Sequence, residues 1–208
     1  MTQRFAILIS GRGSNMEAVL RYWSEGLDPL TRHSEPVLVV SNRAKAPGLE
    51  RARRAGITTE VLPHRGFRER AKFDLALATL LESYQVDLVV LAGFMRVLGS
   101  DFVRRFPKRV LNIHPSLLPA FPGLDAPGQA IAAGVKVSGC TVHFVDEGVD
   151  TGPIIAQAPV EVIGDDTSDT LGERIRVVEH TLYPRVIAQV AAAKMKVARE
   201  NPQAHEVP

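Results

Sequence analysis

The chain has 208 residues, 45% hydrophobic and 23% charged, which suits one soluble globular domain with a substantial core and excludes a disordered or fibrous chain. A formal net charge of +2 is too small to imply a nucleic-acid partner. The clusters Arg51, Arg53, Arg54 and Arg104, Arg105, Lys108, Arg109 read as solvated helix faces or as steering for an anionic substrate.

The first apolar run, residues 5–9, predicts a buried strand. It stops at Ser10-Gly11, too short for a signal peptide or a membrane span, so a cytoplasmic protein without a membrane partner is expected. Residues 37–40, 87–91 and 109–113 are further buried-strand runs, and 14–25, 47–55 and 67–84 carry helical spacing between them. In the last of these helices Phe73, Leu77, Leu80, Leu81 and Tyr84 recur three or four apart, a stripe that faces a core. Repeated strand–helix–strand units imply right-handed crossovers and a parallel sheet covered on both faces. Residues 138–145 then alternate Cys140, Val142 and Phe144 against Thr141, His143 and Val145. Residues 154–162 read as a second strand, and the connection between the two predicts an antiparallel addition. Cys140 is the only cysteine, so an internal disulfide is excluded and a packed, inert thiol is expected. A long helix over 168–193 and a frayed tail over 201–208 end the chain. The fold class is therefore α/β: a Rossmann-like, mostly parallel twisted sheet of about seven strands, with helices on both faces and an antiparallel addition in the C-terminal half. One domain over 1–208 is expected, with a phosphate-binding βαβ half at 1–111, a second half at 112–195 and a tail at 196–208.

Ser10-Gly11-Arg12-Gly13-Ser14-Asn15 lies between the first strand and the first helix. Its glycines permit a tight turn and close approach of N–H groups to an anion, and Ser14 and Asn15 are candidate helix caps. The loop reads as a phosphate cradle or as a plain strand-to-helix turn. It is not a dinucleotide fingerprint, because the third glycine is missing and Ser41-Asn42-Arg43 offers no acid for a ribose.

Asn112 and His114 stand two apart at a predicted strand end, so their side chains share a face, and Pro115 stops the strand at the carboxyl edge where open α/β sheets bind ligands. A strand-end histidine taken alone is often structural. Beside an amide it suits acyl transfer: both groups can donate to an oxyanion, each well-placed donor contributing about 3 kcal/mol, and the imidazole can pass a proton to a leaving amine.

With Val89-Val90-Leu91-Ala92-Gly93-Phe94-Met95-Arg96, Leu111 through Pro119, the glycine loop and Thr141-Val142-His143-Phe144-Val145 all in place, the chain resembles the folate-dependent formyltransferases over residues 5–185. It is most similar to the branch acting on glycinamide ribonucleotide. The resemblance implies transfer of the formyl group of 10-formyltetrahydrofolate to the substrate amine, with catalytic groups at Asn112, His114 and Asp150 and no metal. A carboxylate near an imidazole favours its charged form, which makes sense of Asp150. Spacing alone does not separate Asp150 from Asp146, Glu147, Asp165 and Asp166, which read as solvated loop residues. By the same resemblance Gly13, Ser14 and Asn15 hold the substrate phosphate, and Glu179 contacts its ribose. The folate lies across Met95, Arg96, Val97 and Leu98, with Asn112, Asp146 and Asp150 also against it and Arg70 pairing a glutamyl carboxylate. Without the resemblance, Arg70 and Glu179 read as exposed helix positions.

One stretch departs from the family pattern. A histidine commonly follows Phe121-Pro122-Gly123-Leu124, and Asp125-Ala126-Pro127-Gly128 stands here instead, which alters local contacts or loop flexibility. A related hydrolase carries an extra amino-terminal domain, for which a first strand at residue 5 leaves no room. The tRNA-directed relative needs a carboxyl-terminal RNA-binding domain. A non-catalytic phosphate-binding module is the reading from another class, and a monomer and a homodimer are both compatible with the sequence.

Overall fold

The computed structural model describes residues 2–200, with side chains to residue 193; the frayed tail expected over 201–208 lies outside the described residues. Among the described residues seven strands alternate with six α-helices. The strands are β1 (Gln3–Ile9), β2 (Ser34–Ser41), β3 (Thr58–Val61), β4 (Leu88–Leu91), β5 (Val110–His114), β6 (Val137–Phe144) and β7 (Ile154–Glu161). The helices are α1 (Ser14–Ser24), α2 (Pro47–Arg54), α3 (Arg70–Ser83), α4 (Ser100–Arg105), α5 (Ala126–Ala132) and α6 (Ser168–Glu200).

The strands form one sheet in the order β3-β2-β1-β4-β5-β6-β7. The first five are parallel, β6 runs antiparallel to β5, and β7 antiparallel to β6. The α/β class and the antiparallel addition are as the sequence implies. Three elements were not visible in it. β3 is a four-residue edge strand, Thr-Thr-Glu-Val, without an apolar run. α4 and α5 have six and seven residues, too few for a 3.6-residue period to declare itself. The third helix starts at Arg70 rather than residue 67, because Glu69 keeps an extended backbone (φ −122°, ψ 137°).

Alternation along the strands supplies both faces of the sheet with apolar side chains. Phe5, Ile7, Ile9, Leu111, Ile113, Cys140 and Val142 pack under α1 and α6. Ala6, Leu8, Val89, Leu91 and Val110 pack under α3 and α4, where Phe73, Leu77 and Leu81 form the buried centre of the predicted stripe. Burial pushes the Cys140 thiol up to about 12, as an inert packed thiol requires.

From β1 the chain winds outward through β2 and β3, then returns to β4 on the other side of β1. That reversal opens a crevice at the carboxyl ends of β1 and β4, beside which β5 ends in Asn112 and His114. Tyr183 on α6 is fully buried beneath this edge, with Oη 2.9 Å from the Leu91 carbonyl and 3.0 Å from that of Leu111. One hydroxyl thus serves the last residue of β4 and the residue before Asn112. The helix continues through Pro184 because Tyr183, Val186 and Ile187 around it are all buried.

Tyr183→Phe should therefore lower unfolding free energy by about 1–3 kcal/mol, the cost of depriving buried carbonyls of a donor. Urea denaturation should show an earlier midpoint with an unchanged slope, and an unchanged midpoint would contradict this role.

Candidate active site

The glycine loop leaves β1 at Ser10, whose N–H donates to the Gly93 carbonyl (3.1 Å). Ser10 Oγ accepts from Met95 N–H (2.8 Å) and donates to Asn42 Oδ1 (2.7 Å), so the ends of β1, β2 and β4 are tied by one hydroxyl. Gly13 sits at the N-cap of α1 with φ 73°, a left-handed backbone that glycine adopts at no steric cost. The expected caps from Ser14 and Asn15 are not made; no side chain bonds the first-turn amides of α1. Asn15 instead donates from Nδ2 to Glu179 Oε2 on α6 (2.8 Å), reaching 164 residues along the chain. The uncapped amino end of α1 keeps its N–H groups available to an anion.

Glu179, an exposed helix position by its local sequence, is only 6% exposed in the fold. Burial pushes its carboxyl up, while the Asn15 amide and the Arg176 charge act against the shift. Gly13, Ser14, Asn15 and Glu179 therefore gather at one end of the crevice.

At the other end, β5 presents Asn112 and His114 on one face, as their spacing requires. The antiparallel register sets His143 of β6 directly opposite Asn112. Asp150, on the β6–β7 connection, reaches between them. Its Oδ2 lies 3.3 Å from His114 Nδ1, and its Oδ1 lies 3.6 Å from His143 Nε2 and 3.5 Å from Asn112 Nδ2. Gly123 N–H donates to Oδ2 at 2.9 Å. Burial alone would raise the Asp150 carboxyl, but the His143 imidazole, the Gly123 N–H and the charge of His114 outweigh it and hold the group below its ordinary range. Asp150 also takes a left-handed backbone (φ 56°), uncommon for a residue with a side chain and enriched where function over-determines geometry.

Each imidazole has a fixed partner on its far side. His114 Nε2–H donates to the Phe121 carbonyl (2.8 Å), so His114 satisfies both ring N–H groups when charged: one on Phe121, one on Asp150. His143 Nδ1 lies 2.9 Å from the Phe144 carbonyl, to which it donates, and its Nε2 faces both Asn112 Nδ2 (3.2 Å) and Asp150 Oδ1 (3.6 Å). Behind the pair, Thr141 Oγ1 donates to the Ser116 carbonyl (2.7 Å) and accepts from Leu118 N–H (3.0 Å), pinning the segment after His114 to β6.

These groups line a cleft of about 500 Å³. Its walls include Met95, Val97, Leu124 and Val149, apolar side chains that are 63%, 48%, 84% and 50% exposed and so present an apolar surface without a partner. Arg96 and Leu98 line it too, Arg96 with its guanidinium 4.8 Å from the Phe73 ring centroid and Leu98 largely buried. A second cavity, of about 620 Å³, lies between α1 and α2 around Trp23, remote from this chemistry.

Arg70 does not line the cleft. It stands at the start of α3, 3.7 Å from Asp74, whose Oδ2 also accepts from the Gly99 N–H next to Leu98 (2.8 Å). Asp146 lines the cleft, but its Oδ1 is committed to Gly148 N–H (3.0 Å) and Thr151 Oγ (2.7 Å) in its own loop. One of the rival carboxylates is withdrawn from solvent: Asp166 is enclosed by Arg174 at 2.5 Å with only 4% of its side chain exposed, whereas Glu147 pairs with Arg104 (3.1 Å) on the exposed surface. Sequence reasoning missed His143 as a site residue. Its alternation with Thr141 was visible, but its place opposite Asn112 needed the strand register.

Residues 3–187 match the Formyl transferase family. The chain is 43% identical to the phosphoribosylglycinamide formyltransferase of Bacillus subtilis, over 90% of this chain and 94% of that protein. It is 47% identical to the trifunctional purine biosynthetic protein adenosine-3 of Drosophila melanogaster over 95% of this chain, and spans 14% of that protein's length. The crystal structure of glycinamide ribonucleotide transformylase 1 from Symbiobacterium toebii superimposes with a TM-score of 0.88 at 49% identity, covering 92% of this chain and 89% of that one.

A depressed carboxyl contributes stability above its ordinary value of 3.8 and loses it as pH falls through the lowered folded value. Asp150→Asn has no such dependence, so the stability gap between wild type and variant should narrow between about pH 6 and about pH 3. Urea titrations at both pH values check this, and a gap independent of pH would show that Asp150 is not held ionised.

Proposed function

The chain belongs to the formyl transferase family, and we propose that it transfers the formyl group of 10-formyltetrahydrofolate to the amine of glycinamide ribonucleotide, releasing formylglycinamide ribonucleotide and tetrahydrofolate. The observation that carries the reading is the Asp150 carboxylate held between His114 and the Asn112–His143 pair at the carboxyl edge of the sheet. Both substrates are water-soluble small molecules, which fits a cytoplasmic setting.

The ribonucleotide phosphate lies on the amino end of α1 beside Gly13, Ser14 and Asn15, where free N–H groups and the helix dipole favour an anion. Glu179, fixed by Asn15, accepts from its ribose hydroxyls. The apolar walls at Met95, Val97, Leu124 and Val149 suit a flat heteroaromatic ring, whose polar edge finds main-chain groups of residues 95–98. Asp146 holds the loop against that ring through its own turn. Arg70, at the rim rather than in the cleft, suits a carboxylate on a tail that leaves the pocket.

The folate supplies an activated formyl group on an arylamine nitrogen, a leaving group that needs neither a nucleophilic side chain nor a metal. As the substrate amine adds to the formyl carbon, negative charge gathers on the carbonyl oxygen. Asn112 donates to it most readily, because its contact to Asp150 at 3.5 Å is at the limit of a hydrogen bond and is easily exchanged. His114 stabilises the same charge when its imidazole is protonated, with Asp150 facing Nδ1 at 3.3 Å; direct donation from Nε2 exchanges the Phe121 contact for the oxyanion. The proton the amine loses equals the proton the folate nitrogen gains, so the site needs a relay rather than net acid or base. His114 and Asp150 are placed to provide it.

His114→Ala should lower kcat by about 10²–10⁴ while leaving both ligands bound, measured by folate absorbance with and without ribonucleotide. Wild-type turnover in that variant would sink the assignment. Formate release by the wild type in the control without ribonucleotide would convert the reading to a hydrolase.

A further inference from the structure

Two of the partners that hold the catalytic side chains are backbone groups of a single exposed loop. Phe121 offers its carbonyl to His114, and Gly123 its N–H to Asp150. The loop is not rigid by composition. Phe121 and Asp125 both adopt left-handed backbones (φ 56° and 52°), which side-chain-bearing residues hold only when their surroundings require it. What requires it is visible in the next helix. Gln129 on α5 donates from Nε2 to two carbonyls of the loop, Pro122 (3.0 Å) and Leu124 (2.8 Å). Asp125 caps α5 by accepting from Gly128 N–H (3.2 Å), and a Cβ at position 128 would collide with its carboxylate. Asp125 Oδ1 also accepts from Ser168 Oγ at 2.5 Å, which ties the loop to the start of α6.

We propose that Gln129 and the Asp125–Ser168 pair are positioning residues for the transfer reaction: they fix the loop over 121–125 so that its backbone holds His114 in orientation and keeps the Gly123 N–H on Asp150. The inference rests on the roles given above to His114 and Asp150. Its chemical content is that Gln129 and Ser168, which do not line the cleft, act through two backbone contacts of the loop, while Asp125 stands at the cleft itself. The groups facing Asp150 are His114 on β5, His143 on β6, Asn112 and the Gly123 N–H, with Asp146 on its own loop. Of these the Gly123 N–H depends on the clamp directly, and His114 through the Phe121 carbonyl. Losing the N–H raises the Asp150 carboxyl, so the acid limb of turnover moves to higher pH.

The test uses the full chain with Gln129→Glu, which keeps shape but removes both donors, and Ser168→Ala beside the conservative Ser168→Thr. Gln129→Glu should lower kcat about tenfold, the scale of one or two exchanged hydrogen bonds, and raise the acid limb of the kcat–pH profile. KM for the ribonucleotide and the thermal midpoint should stay near wild type. Ser168→Ala should move the same two quantities in the same direction by less, and Ser168→Thr should restore them. A kcat and an acid limb unchanged in both Gln129→Glu and Ser168→Ala would overturn the clamp, as would a loss of kcat with no movement of the acid limb. If Gln129→Glu unfolds, the two Ser168 variants decide alone. Absence of formyl transfer in the wild type itself would instead count against the proposed activity.

Discussion

A carboxylate kept charged where water is largely excluded is the constraint on which the rest of the site depends. Asp150 is removed from most of its solvent, and a charge in that position is stable only if fixed dipoles and opposite charges replace the lost water. Two imidazoles, one amide and one backbone N–H do so here. They come from three segments: His114 and Asn112 from β5, His143 from β6, Gly123 from the loop before α5. The charge therefore specifies how β5 must pair with β6, where the β6–β7 connection must pass and how closely the loop over 121–125 must approach. The left-handed backbone of Asp150 is the local cost of that convergence.

The same arrangement explains why a parallel sheet ends in two antiparallel strands. A sixth parallel strand would need a crossover and would carry its side chains to the edge from elsewhere in the sequence. An antiparallel β6 brings His143 opposite Asn112 and leaves the sheet at Phe144, opposite Leu111, from where the β6–β7 connection turns back to set Asp150 against Asn112 and His114. At the opposite end of the crevice, Ser10 joins the glycine loop to Gly93 and Met95, and through Asn42 to β2. The proposed phosphate and folate regions thus share one buried hydroxyl. Asn42, which stands where a dinucleotide site would carry an acid, is part of this joint.

The pattern of short apolar runs and helical stripes carried the sheet-and-helix alternation because burial on both faces leaves little freedom in which residue types a parallel strand accepts. It failed at β3, α4 and α5, which are too short or too polar to show a period. Asn112 and His114 were readable as a pair because two residues on one strand share a face by geometry alone. Arg70 had no such local signal: on its own helix it is an exposed charge beside Asp74, and only the resemblance singled it out.

By itself, then, the sequence determined the α/β class, the strand edge bearing Asn112 and His114, and, through resemblance, the family and its chemistry. Only the tertiary structure decided that Asp150 is the carboxylate at those groups, that His143 stands beside them and that Glu179 is buried against Asn15. It also decided that Gln129 and Ser168 secure the loop at the site. The reason is range. A residue's face on its own strand follows from a period of two, whereas register between strands, approach of loops and loss of solvent depend on contacts tens of residues away that no local pattern encodes.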